Sequence, residues 1–312
     1  MYSLIIVDYN TLDATVEYLS RCRKALGRQG ASHVVIVENG ADTAVPERLR
    51  DAWGECTRQS LPGTDIPLLR FCRDGWEVCC CHSGENMGYA RGNNLGARIA
   101  DALWNDPYYI ISNNDLVFPE QADLQAIHRY FQQHPRVALV GPKIVGTDGK
   151  PQSPRKKRGA FCMLIGWYWA MALGGPFKRL VDDVVPDARE GQCHWVTGSF
   201  LFLRAEGFRQ AHGFDPHTFL YAEELILSAR LAAAGYTAAY CPAFTLVHVH
   251  GQTVKKTISV LRNLRIGFTS LSYYYGTYRG TSDLLLWFAK QNFKLYTEIY
   301  RIKQRIKGFF RR

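Results

Sequence analysis

Residues 213–230 read GFDPHTFLYAEELILSAR, and two adjacent carboxylates, Glu223 and Glu224, stand inside this stretch. The apolar residues that follow recur at an approximately helical spacing, and Gly235 supplies a stop signal. The pattern therefore predicts a helix that begins at the acid pair. Because one acidic residue in a first turn is commonly explained by the helix dipole alone, a functional interpretation of the pair depends on the rest of the sequence.

The first 150 residues alternate between short apolar runs and helical patterns. The predicted strands cover residues 4–7, 34–37, 77–81, 108–112 and 137–140, and the predicted helices cover residues 12–26, 89–104 and 120–134. Such alternation favours a sheet with helices on both faces. The predicted fold class is therefore α/β, with a mostly parallel central sheet flanked by helices.

In sheets of this kind, ligands bind beyond the carboxyl ends of the strands. Polar residues and glycines follow four of the predicted strands, at residues 8–10, 38–40, 85–88 and 113–115. The run Ser112-Asn113-Asn114-Asp115 presents a carboxylate directly after a strand, which suits a hard cation that bridges diphosphate oxygens. An Asx turn or a helix cap explains the same run without any ligand.

Residues 86–96 read NMGYARGNNLG and place glycines every four residues on a predicted helix. The pattern matches neither the dinucleotide-binding GxGxxG fingerprint nor the Walker phosphate loop. The glycines indicate that another part of the backbone approaches closely, and simple helix packing is the alternative explanation.

The composition is that of a globular protein. The chain has 312 residues, of which 47% are hydrophobic and 21% charged, and it contains no evident repeat. Its nine cysteines lack CxxC spacing, which argues against a disulfide framework or a zinc motif and favours a reducing compartment. No basic region or cleavage site precedes the first predicted strand, so a cytoplasmic location is expected.

The net charge of +10 arises in the C-terminal region. Residues 255–312 carry 13 Lys/Arg against Asp283 and Glu298, whereas residues 1–254 carry 25 bases and 26 acids. Apolar residues keep a three-four spacing among these bases, which predicts an amphipathic cationic helix. Such a helix could lie on an anionic membrane, pair with a second copy, or pack on its own domain. Interleaved aromatic residues favour the membrane, and no nucleic-acid-binding motif accompanies the charge.

Eight segments, taken in order, resemble a known family. They read DYN (8–10), VIVENGADT (35–43), NMGYARGNNLG (86–96), SNND (112–115), VALVGPKI (137–144), WVTGSFLFLR (195–204), GFDPHTFLYAEE (213–224) and VHVHGQT (247–253). Together they resemble the inverting family-2 glycosyltransferases of GT-A fold, and the rhamnosyltransferase-like branch is the most similar. The resemblance covers about residues 2–255 and leaves out the basic tail.

The resemblance implies a role for each matching position. The donor would be bound by residues that follow the predicted strands, namely Tyr9, Asn10, Glu38, Asn39, Asn86, Gly88, Asn94, Asn113 and Asn114. Asp115 would coordinate Mg²⁺ or Mn²⁺ on the diphosphate, and His248 would complete the metal site, with His250 as its neighbour. Glu38 stands where the family usually has Asp, which leaves the nucleotide base open.

Glu223 and Glu224 occupy the family's Glu-Asp pair, whose second member resembles the catalytic base. The resemblance therefore makes Glu224 the base and Glu223 the residue that positions the site. The acceptor side would include Trp195, Gly198, Tyr221 and Arg230. The family's next acid is replaced by Ile226, so reduced activity or an unusual acceptor is an open alternative.

Residues 159–177 carry no charge and lie between basic flanks, which makes them a borderline candidate for a membrane span. A single span would put Asp115 and Glu224 on opposite sides of the membrane, although the resemblance needs both in one site. We therefore expect an interfacial or buried helix, or a re-entrant hairpin. The expected domains are a GT-A domain at 1–255, with a donor half at about 1–145 and an acceptor half at about 146–255, and a basic amphipathic helical region at 256–312.

The resemblance implies an inverting, metal-dependent transfer of rhamnose or another hexose from a dTDP- or UDP-sugar to a glycan hydroxyl. With the basic tail, it predicts a lipid-linked acceptor in cell-surface polysaccharide synthesis, and peripheral binding at the inner face of the cell membrane. A homodimer is an alternative use of the tail, and nucleic acid is not an expected partner. The alternative functions are a catalytically degenerate binding or scaffold protein and a sugar nucleotidyltransferase.

Overall fold

The computed structural model describes residues 1–26, 31–40, 45–73, 75–120, 122–249 and 259–309. His250 lies outside these residues, as do parts of the VIVENGADT and VHVHGQT segments. The chain divides into two compact units. Unit 1 comprises Met1–Lys156 and Val184–Thr257, and unit 2 comprises Lys157–Asp183 and Ile258–Arg312.

The described part of unit 1 is built on a sheet of eleven strands. They are β1 (Tyr2–Asp8), β2 (Ala31–Glu38), β3 (Thr57–Ser60), β4 (Pro67–Arg73), β5 (Trp76–His82), β6 (Tyr108–Ser112), β7 (Leu116–Val117), β8 (Val137–Gly146), β9 (Gly191–Cys193), β10 (Phe200–Arg204) and β11 (Thr237–His248). Their order is β3-β4-β5-β2-β1-β6-β10-β8-β11-β7, and β9 pairs with β11. The central strands β5, β2, β1 and β6 are parallel, as predicted.

The sheet as a whole is mixed, because β10 runs antiparallel between β6 and β8. This pairing places the residues before β10 beside the residues after β6, since Phe200 pairs with Ser112. Two regions that are far apart in the sequence therefore meet at the same end of these two neighbouring strands. The hairpin of β3 and β4 and the short strands β7 and β9 are further additions that the hydrophobic pattern did not reveal.

The helices of unit 1 cover both faces of the sheet. They are α1 (Leu12–Leu26), α2 (Val45–Trp53), α3 (Gly88–Leu103), α4 (Leu124–Gln133), α7 (Ala205–Gln210) and α8 (Glu223–Ala233). Alternate residues of β1 explain the layers: Leu4 and Ile6 pack in one hydrophobic cluster with α1 and α4, and Ile5 packs in a second cluster with α3, α7 and α8. The predicted helix at 120–134 begins later, because the Asp123 side chain accepts a hydrogen bond from Ala126 N–H and caps it.

Unit 2 is helical in its described residues. It contains α5 (Trp167–Leu173), α6 (Phe177–Val181), α9 (Val260–Tyr273) and α10 (Asp283–Phe309), with π-helical turns at Cys162–Gly166 and Tyr274–Tyr278. The segment 159–177 is interrupted by Gly174 and Gly175, whose φ angles of 72° and 53° end α5 before α6 begins. Among the described residues, no helix combines the length and apolar character that crossing a bilayer requires.

The two units differ from the expected domain boundary in one respect. The segment Lys157–Asp183 belongs with the C-terminal helices, although it lies within the predicted domain 1–255. Aromatic rings make this connection inside unit 2. Tyr168 of α5 lies 5.0 Å from Phe293 and 5.3 Å from Tyr296, measured between ring centroids, and both partners belong to α10.

Candidate active site

A buried carboxylate organises the end of β1. Asp8 is fully buried and accepts hydrogen bonds from the hydroxyl groups of Thr11 (2.7 Å) and Thr15 (2.6 Å). Asn114 Nδ2 donates to the same carboxylate over 3.1 Å, so the amide of the SNND run is fixed against the first strand. Asp8 was absent from the predicted donor residues, and its burial and its partners give it an orienting role toward Asn114.

Glu38 is buried at the end of β2, where both of its oxygens are engaged. Its Oε1 accepts a hydrogen bond from Gly40 N–H (2.9 Å), and its Oε2 contacts Nδ1 of His82. Burial raises the pKa of Glu38, while the hydrogen bonds from His82 and Gly40 oppose that shift. A Cβ on Gly40 would lie 2.1 Å from Asn10 Oδ1, so the Asn10 side chain packs against Gly40. The neighbouring residue, Tyr9, is half-buried.

Asn39 joins the end of β2 to the start of α3. Its Nδ2 donates to Asn86 Oδ1 and to Gly88 O, each over 3.2 Å, and its Oδ1 accepts from Met87 N–H over 3.0 Å. Gly88 has a φ of 79°, and a Cβ there would lie 2.4 Å from Phe219 O. Glycine is therefore required at this position, and the fold brings Asn39, Asn86 and Gly88 together.

Two of the predicted site residues are engaged with the backbone before α8. The Asn94 amide donates to Phe214 O (2.8 Å) and accepts from Phe214 N–H (2.9 Å). Arg230 donates to Ala211 O (2.8 Å) and to His212 O (3.1 Å). These bonds hold the loop that leads to the acid pair, so both side chains support the site through that loop.

Helix α8 begins at the acid pair, which confirms the predicted helix start. Tyr221 and Ala222 come directly before it and have φ angles of 74° and 66°, a left-handed conformation that residues other than glycine rarely adopt. Backbone strain of this kind often concentrates at functional sites. The turn leaves the Tyr221 side chain 37% exposed and buries Glu223, which is only 3% exposed.

The two carboxyl groups of the pair differ in their surroundings. Burial raises the pKa of Glu223 well above its usual range, and the neighbouring charge of Glu224 raises it further. Oε1 of Glu223 is buried and has no hydrogen-bond partner among the described residues. Burial also raises the pKa of Glu224, but backbone N–H groups, including that of Gly198, and the Arg155 guanidinium oppose the shift. Glu224 is therefore the member of the pair that ionises more readily.

Gly198 connects Glu224 with the start of α3. Its N–H donates to Glu224 Oε1 over 2.7 Å, and its carbonyl oxygen accepts from the Tyr89 hydroxyl over 2.6 Å. The backbone carbonyl oxygen of the next residue, Ser199, accepts a hydrogen bond from Asn113 N–H over 2.9 Å. The acid pair, the glycine-rich helix start and the SNND run are thus linked through two consecutive residues before β10.

Asp115 and His248 lie side by side where β7 pairs with the end of β11. His248 Nε2 is 3.2 Å from Asp115 Oδ1, and this buried oxygen makes no hydrogen bond within the described residues. Ligands at adjacent corners of an octahedral Mg²⁺ sphere are about 3 Å apart, so the spacing of the pair fits a divalent cation. Within the described ranges, no group of three or more His, Cys, Asp or Glu is placed to hold a metal, so this pair would supply two ligands.

Arg155 is a site residue that the sequence did not single out. Its guanidinium lies 5.0 Å from the centre of the Trp195 ring, and the backbone N–H of Arg155 donates to Trp195 O over 3.0 Å. Its positive charge also opposes the rise that burial causes in the pKa of Glu224. In the sequence, Arg155 belongs to the basic flank before residues 159–177. Its position near the acid pair depends on β-bridges to Val184 and Trp195, which are distant in the sequence and could not be predicted from it.

The sheet and its flanking helices have the GT-A glycosyltransferase fold. A family model described as "Glycosyltransferase (GlcNAc)" matches residues 85–257, which include the SNND run, the acid pair and His248. The chain belongs to this glycosyltransferase family, and within the family-2 enzymes it is rhamnosyltransferase-like.

Similar proteins agree with this assignment. The chain is 30% identical over 181 residues to N-acetylglucosaminyl-diphospho-decaprenol L-rhamnosyltransferase from Mycobacterium tuberculosis, covering 53% of the chain and 57% of that protein. It is 26% identical over 174 residues to rhamnosyltransferase WbbL from Escherichia coli, covering 53% of the chain and 62% of that protein. The matches thus span somewhat more than half the length of these curated relatives.

Two solved structures share the fold. One is GalNAc-T7 with UDP, GalNAc and Mn²⁺, which matches with a TM-score of 0.56 and 14% identity over 97% of this chain and 57% of that chain. The other is Staphylococcus aureus TarS 1–349 in complex with UDP-GlcNAc, with a TM-score of 0.53 and 11% identity over 95% of this chain and 71% of that chain. At these identities the likeness establishes the fold alone.

Proposed function

We propose that the chain is an inverting, metal-dependent glycosyltransferase that moves rhamnose or another hexose from a nucleoside-diphosphate donor to a hydroxyl of a glycan acceptor. One observation carries the proposal: Glu224 is hydrogen-bonded to Gly198, which in turn is hydrogen-bonded to Tyr89 at the start of α3. This connection sets a carboxylate that can act as a base beside the residues proposed to bind the donor.

In this mechanism Glu224 is the general base. An acceptor hydroxyl is a weak nucleophile, so a carboxylate within hydrogen-bond reach must take its proton as the oxygen attacks the anomeric carbon. The Gly198 N–H holds Oε1 of Glu224, which leaves Oε2 to receive the proton. Burial raises the pKa of Glu223 more than that of Glu224, so Glu223 stays protonated to a higher pH and positions its neighbour.

The nucleoside diphosphate leaves from the opposite face of the sugar. The bond from the anomeric carbon to the acceptor oxygen forms as the bond to the diphosphate breaks, so configuration inverts and no glycosyl-enzyme intermediate arises. Asp115 and His248 would hold a divalent cation, and such a cation would supply positive charge to stabilise the leaving diphosphate. The side chains around Asn39 and the Asp8-bound Asn114 would orient the donor.

The proposal is tested by incubating the chain with Mn²⁺, UDP-, dTDP- and GDP-sugars, and a polyprenyl-diphosphate-linked glycan acceptor. We expect one sugar nucleotide to be consumed, with transfer abolished by EDTA and an inverted anomeric configuration of the product by NMR. A retained configuration, or transfer unaffected by EDTA, would refute the proposed chemistry.

A degenerate binding protein is the second candidate, and one observation favours it. Ile226 is fully buried in α8, so the position of the family's next acid is part of the core in this chain. A degenerate protein would bind a sugar nucleotide, giving thermal stabilisation, without consuming it in the same assay.

The lipid-linked acceptor is proposed from a relative and from unit 2. The Mycobacterium tuberculosis relative is named for an acceptor that joins N-acetylglucosamine to decaprenol through a diphosphate. In unit 2, one face of α10 is buried through Ala289, Phe293 and Tyr296. The Phe293 ring stacks on Phe268 of α9 with a centroid distance of 4.2 Å and an interplanar angle of 5°. This face accounts for the packing of α10 on its own unit.

A second apolar face of α10 is exposed. At 100° per residue, six exposed side chains fall within one stripe opposite the buried face: Leu284, Trp287, Phe288, Leu295, Ile302 and Ile306. The segments of unit 2 carry 15 Lys/Arg against 4 Asp/Glu. An apolar stripe among bases matches an anionic lipid surface in both hydrophobicity and charge. We therefore propose that unit 2 binds the inner face of the cell membrane peripherally.

Replacing stripe residues in the full chain should weaken membrane binding. The triple variant Leu284→Gln, Trp287→Ala, Leu295→Gln keeps the buried face intact. Its partitioning should fall at least about tenfold, because full burial of one such side chain contributes roughly 1.5–3 kcal/mol and a tenfold loss needs only about a third of that value from each of the three. The measurement is flotation with phosphatidylglycerol-containing vesicles, with Gln304→Ala on the same helix as the control. Equal flotation of the triple variant would remove the stripe's role, and loss of a dimer in gel filtration would assign the stripe to a second copy.

A further inference from the structure

We propose that Gln152 is a positioning residue of the metal site, holding the His248 imidazole so that Nε2 faces the cation. The inference rests on the proposed metal-dependent function and deepens it. Gln152 lies in the connection after β8 and was not among the residues that the sequence or the family resemblance selected. The structure brings it to His248, which lies 96 positions further along the chain.

The hydrogen bond between the two side chains fixes the imidazole tautomer. Gln152 Oε1 lies 2.9 Å from His248 Nδ1, and both side chains are buried. A carbonyl oxygen can only accept, so Nδ1 must carry the hydrogen. In a neutral imidazole with this tautomer, Nε2 has a free lone pair and can bind a metal.

The lone pair of Nε2 is directed at the second proposed ligand. Nε2 is the ring atom that lies 3.2 Å from Asp115 Oδ1, and that buried oxygen makes no hydrogen bond in the described part of the chain. Two acceptor atoms this close are unfavourable unless a proton or a cation lies between them or binds both. A divalent cation that binds both atoms satisfies this need.

The position of Gln152 is set by its backbone. Its N–H donates to Ile144 O over 2.9 Å, and its carbonyl oxygen accepts from Thr197 Oγ1 over 2.7 Å and from Arg155 Nε over 3.0 Å. These bonds do not involve the side-chain amide, so changing the amide leaves them in place. The backbone of His248 is held independently, because His248 lies in β11 and pairs with Leu116 of β7 and with Gly146 of β8.

The backbone bonds also connect the metal pair with the acid pair. Thr197, which donates to Gln152 O, directly precedes Gly198, whose N–H binds Glu224. Gln152 therefore bonds to the imidazole through its side chain and to the segment that holds the base through its main chain. Partners that orient a metal-bound histidine in this way typically contribute 10- to 100-fold to metal affinity.

The test is Mn²⁺ binding to the full chain, with UDP present as the diphosphate, measured by electron paramagnetic resonance for wild type, Gln152→Met and Gln152→Glu. Gln152→Met keeps the side-chain length and removes the acceptor, so we expect Mn²⁺ affinity to fall about 10- to 100-fold and the ¹⁴N coupling of His248 to weaken. Gln152→Glu keeps an acceptor oxygen for Nδ1–H, so both signals should be retained.

The outcomes separate this inference from the proposed function. Wild-type Mn²⁺ bound without ¹⁴N coupling would refute His248 as a ligand, and the inference with it. Coupling and affinity that are unchanged in Gln152→Met would overturn the role of Gln152 alone and leave the metal site intact. If Gln152→Met fails to fold, Gln152→Asn withdraws the acceptor by one methylene and must show the same loss.

Discussion

Replacing Glu224 with Gln should lower kcat for sugar transfer by about 10²- to 10⁴-fold, the usual contribution of a general base. Gln has nearly the same size, and its carbonyl oxygen can accept the hydrogen bond that Gly198 N–H gives to Oε1 over 2.7 Å. The geometry of the site is therefore preserved, and the ability to take the acceptor proton is lost. The measurement is steady-state transfer with Mn²⁺ and the preferred donor.

Two further variants make this result specific. Glu206→Gln removes an exposed carboxylate from α7 and should leave kcat unchanged. Glu223→Gln removes the neighbouring carboxylate, which has a strongly raised pKa, and should lower kcat less than Glu224→Gln because a neutral side chain already suits that position. A larger loss in Glu223→Gln than in Glu224→Gln would exchange the roles of the pair.

The pH dependence follows from the same assignment. Burial raises the pKa of Glu224, and a general base acts only in its ionised form. As pH falls, kcat/KM should therefore decrease at a higher pH than an ordinary glutamate would give. In Glu224→Gln this acidic limb should be missing from the residual activity.

Gly198→Ala should lower kcat by about 100-fold while the melting temperature changes little. A Cβ on Gly198 would lie 2.4 Å from Glu224 Oε1 and 2.9 Å from its Cγ, so the carboxylate must move. Displacements of about 1 Å at a reacting group can reduce rates by about 100-fold. Stability should be retained because the displaced atoms belong to the end of a flexible side chain.

Other glycine variants provide the controls for this prediction. Gly159→Ala meets no atom within 4 Å and should leave both transfer and melting temperature unchanged. Gly141→Ala would place its Cβ 2.6 Å from Cβ of buried Val196, so it should lower the melting temperature. Transfer by Gly198→Ala at the wild-type rate would contradict the proposed placement of Glu224.

Much of the central sheet follows from the sequence. The strand Tyr108–Ser112 and the helix Leu12–Leu26 have the predicted bounds, because each has a clear hydrophobic period and polar residues at its ends. The pairing of β10 between β6 and β8 could not be predicted in this way. It depends on contacts between segments that lie about ninety and sixty residues apart in the sequence, and periodicity carries no information on such contacts.

The site shows the same division. Motif positions such as Asn39, Asn86 and Gly88 were predicted from the resemblance, and the fold brings them together. His82 and Gln152 were missed because their partners, Glu38 and His248, lie 44 and 96 positions away. A single buried Gln or His carries no local pattern that distinguishes a positioning residue from a satisfied core residue.

Unit 2 illustrates why amphipathic patterns are ambiguous. The sequence indicated a cationic helix in the tail, and α10 spans Asp283–Phe309. The sequence did not reveal that α10 has two apolar faces. The buried face packs on residues that include Tyr168, which lies well over one hundred residues earlier in the chain. Only the contacts inside the unit separate the residues that pack from the residues that remain exposed.

In the proposed mechanism, Glu224 is the base of a transferase that binds a sugar nucleotide. The most direct measurement compares donor affinity and transfer rate for wild type and Glu224→Gln, under the same conditions and with Mn²⁺. Because the base acts in the transition state, we expect donor affinity to stay within about threefold of wild type while transfer falls by about 10²-fold or more. Donor binding retained together with an unchanged transfer rate would contradict the claim.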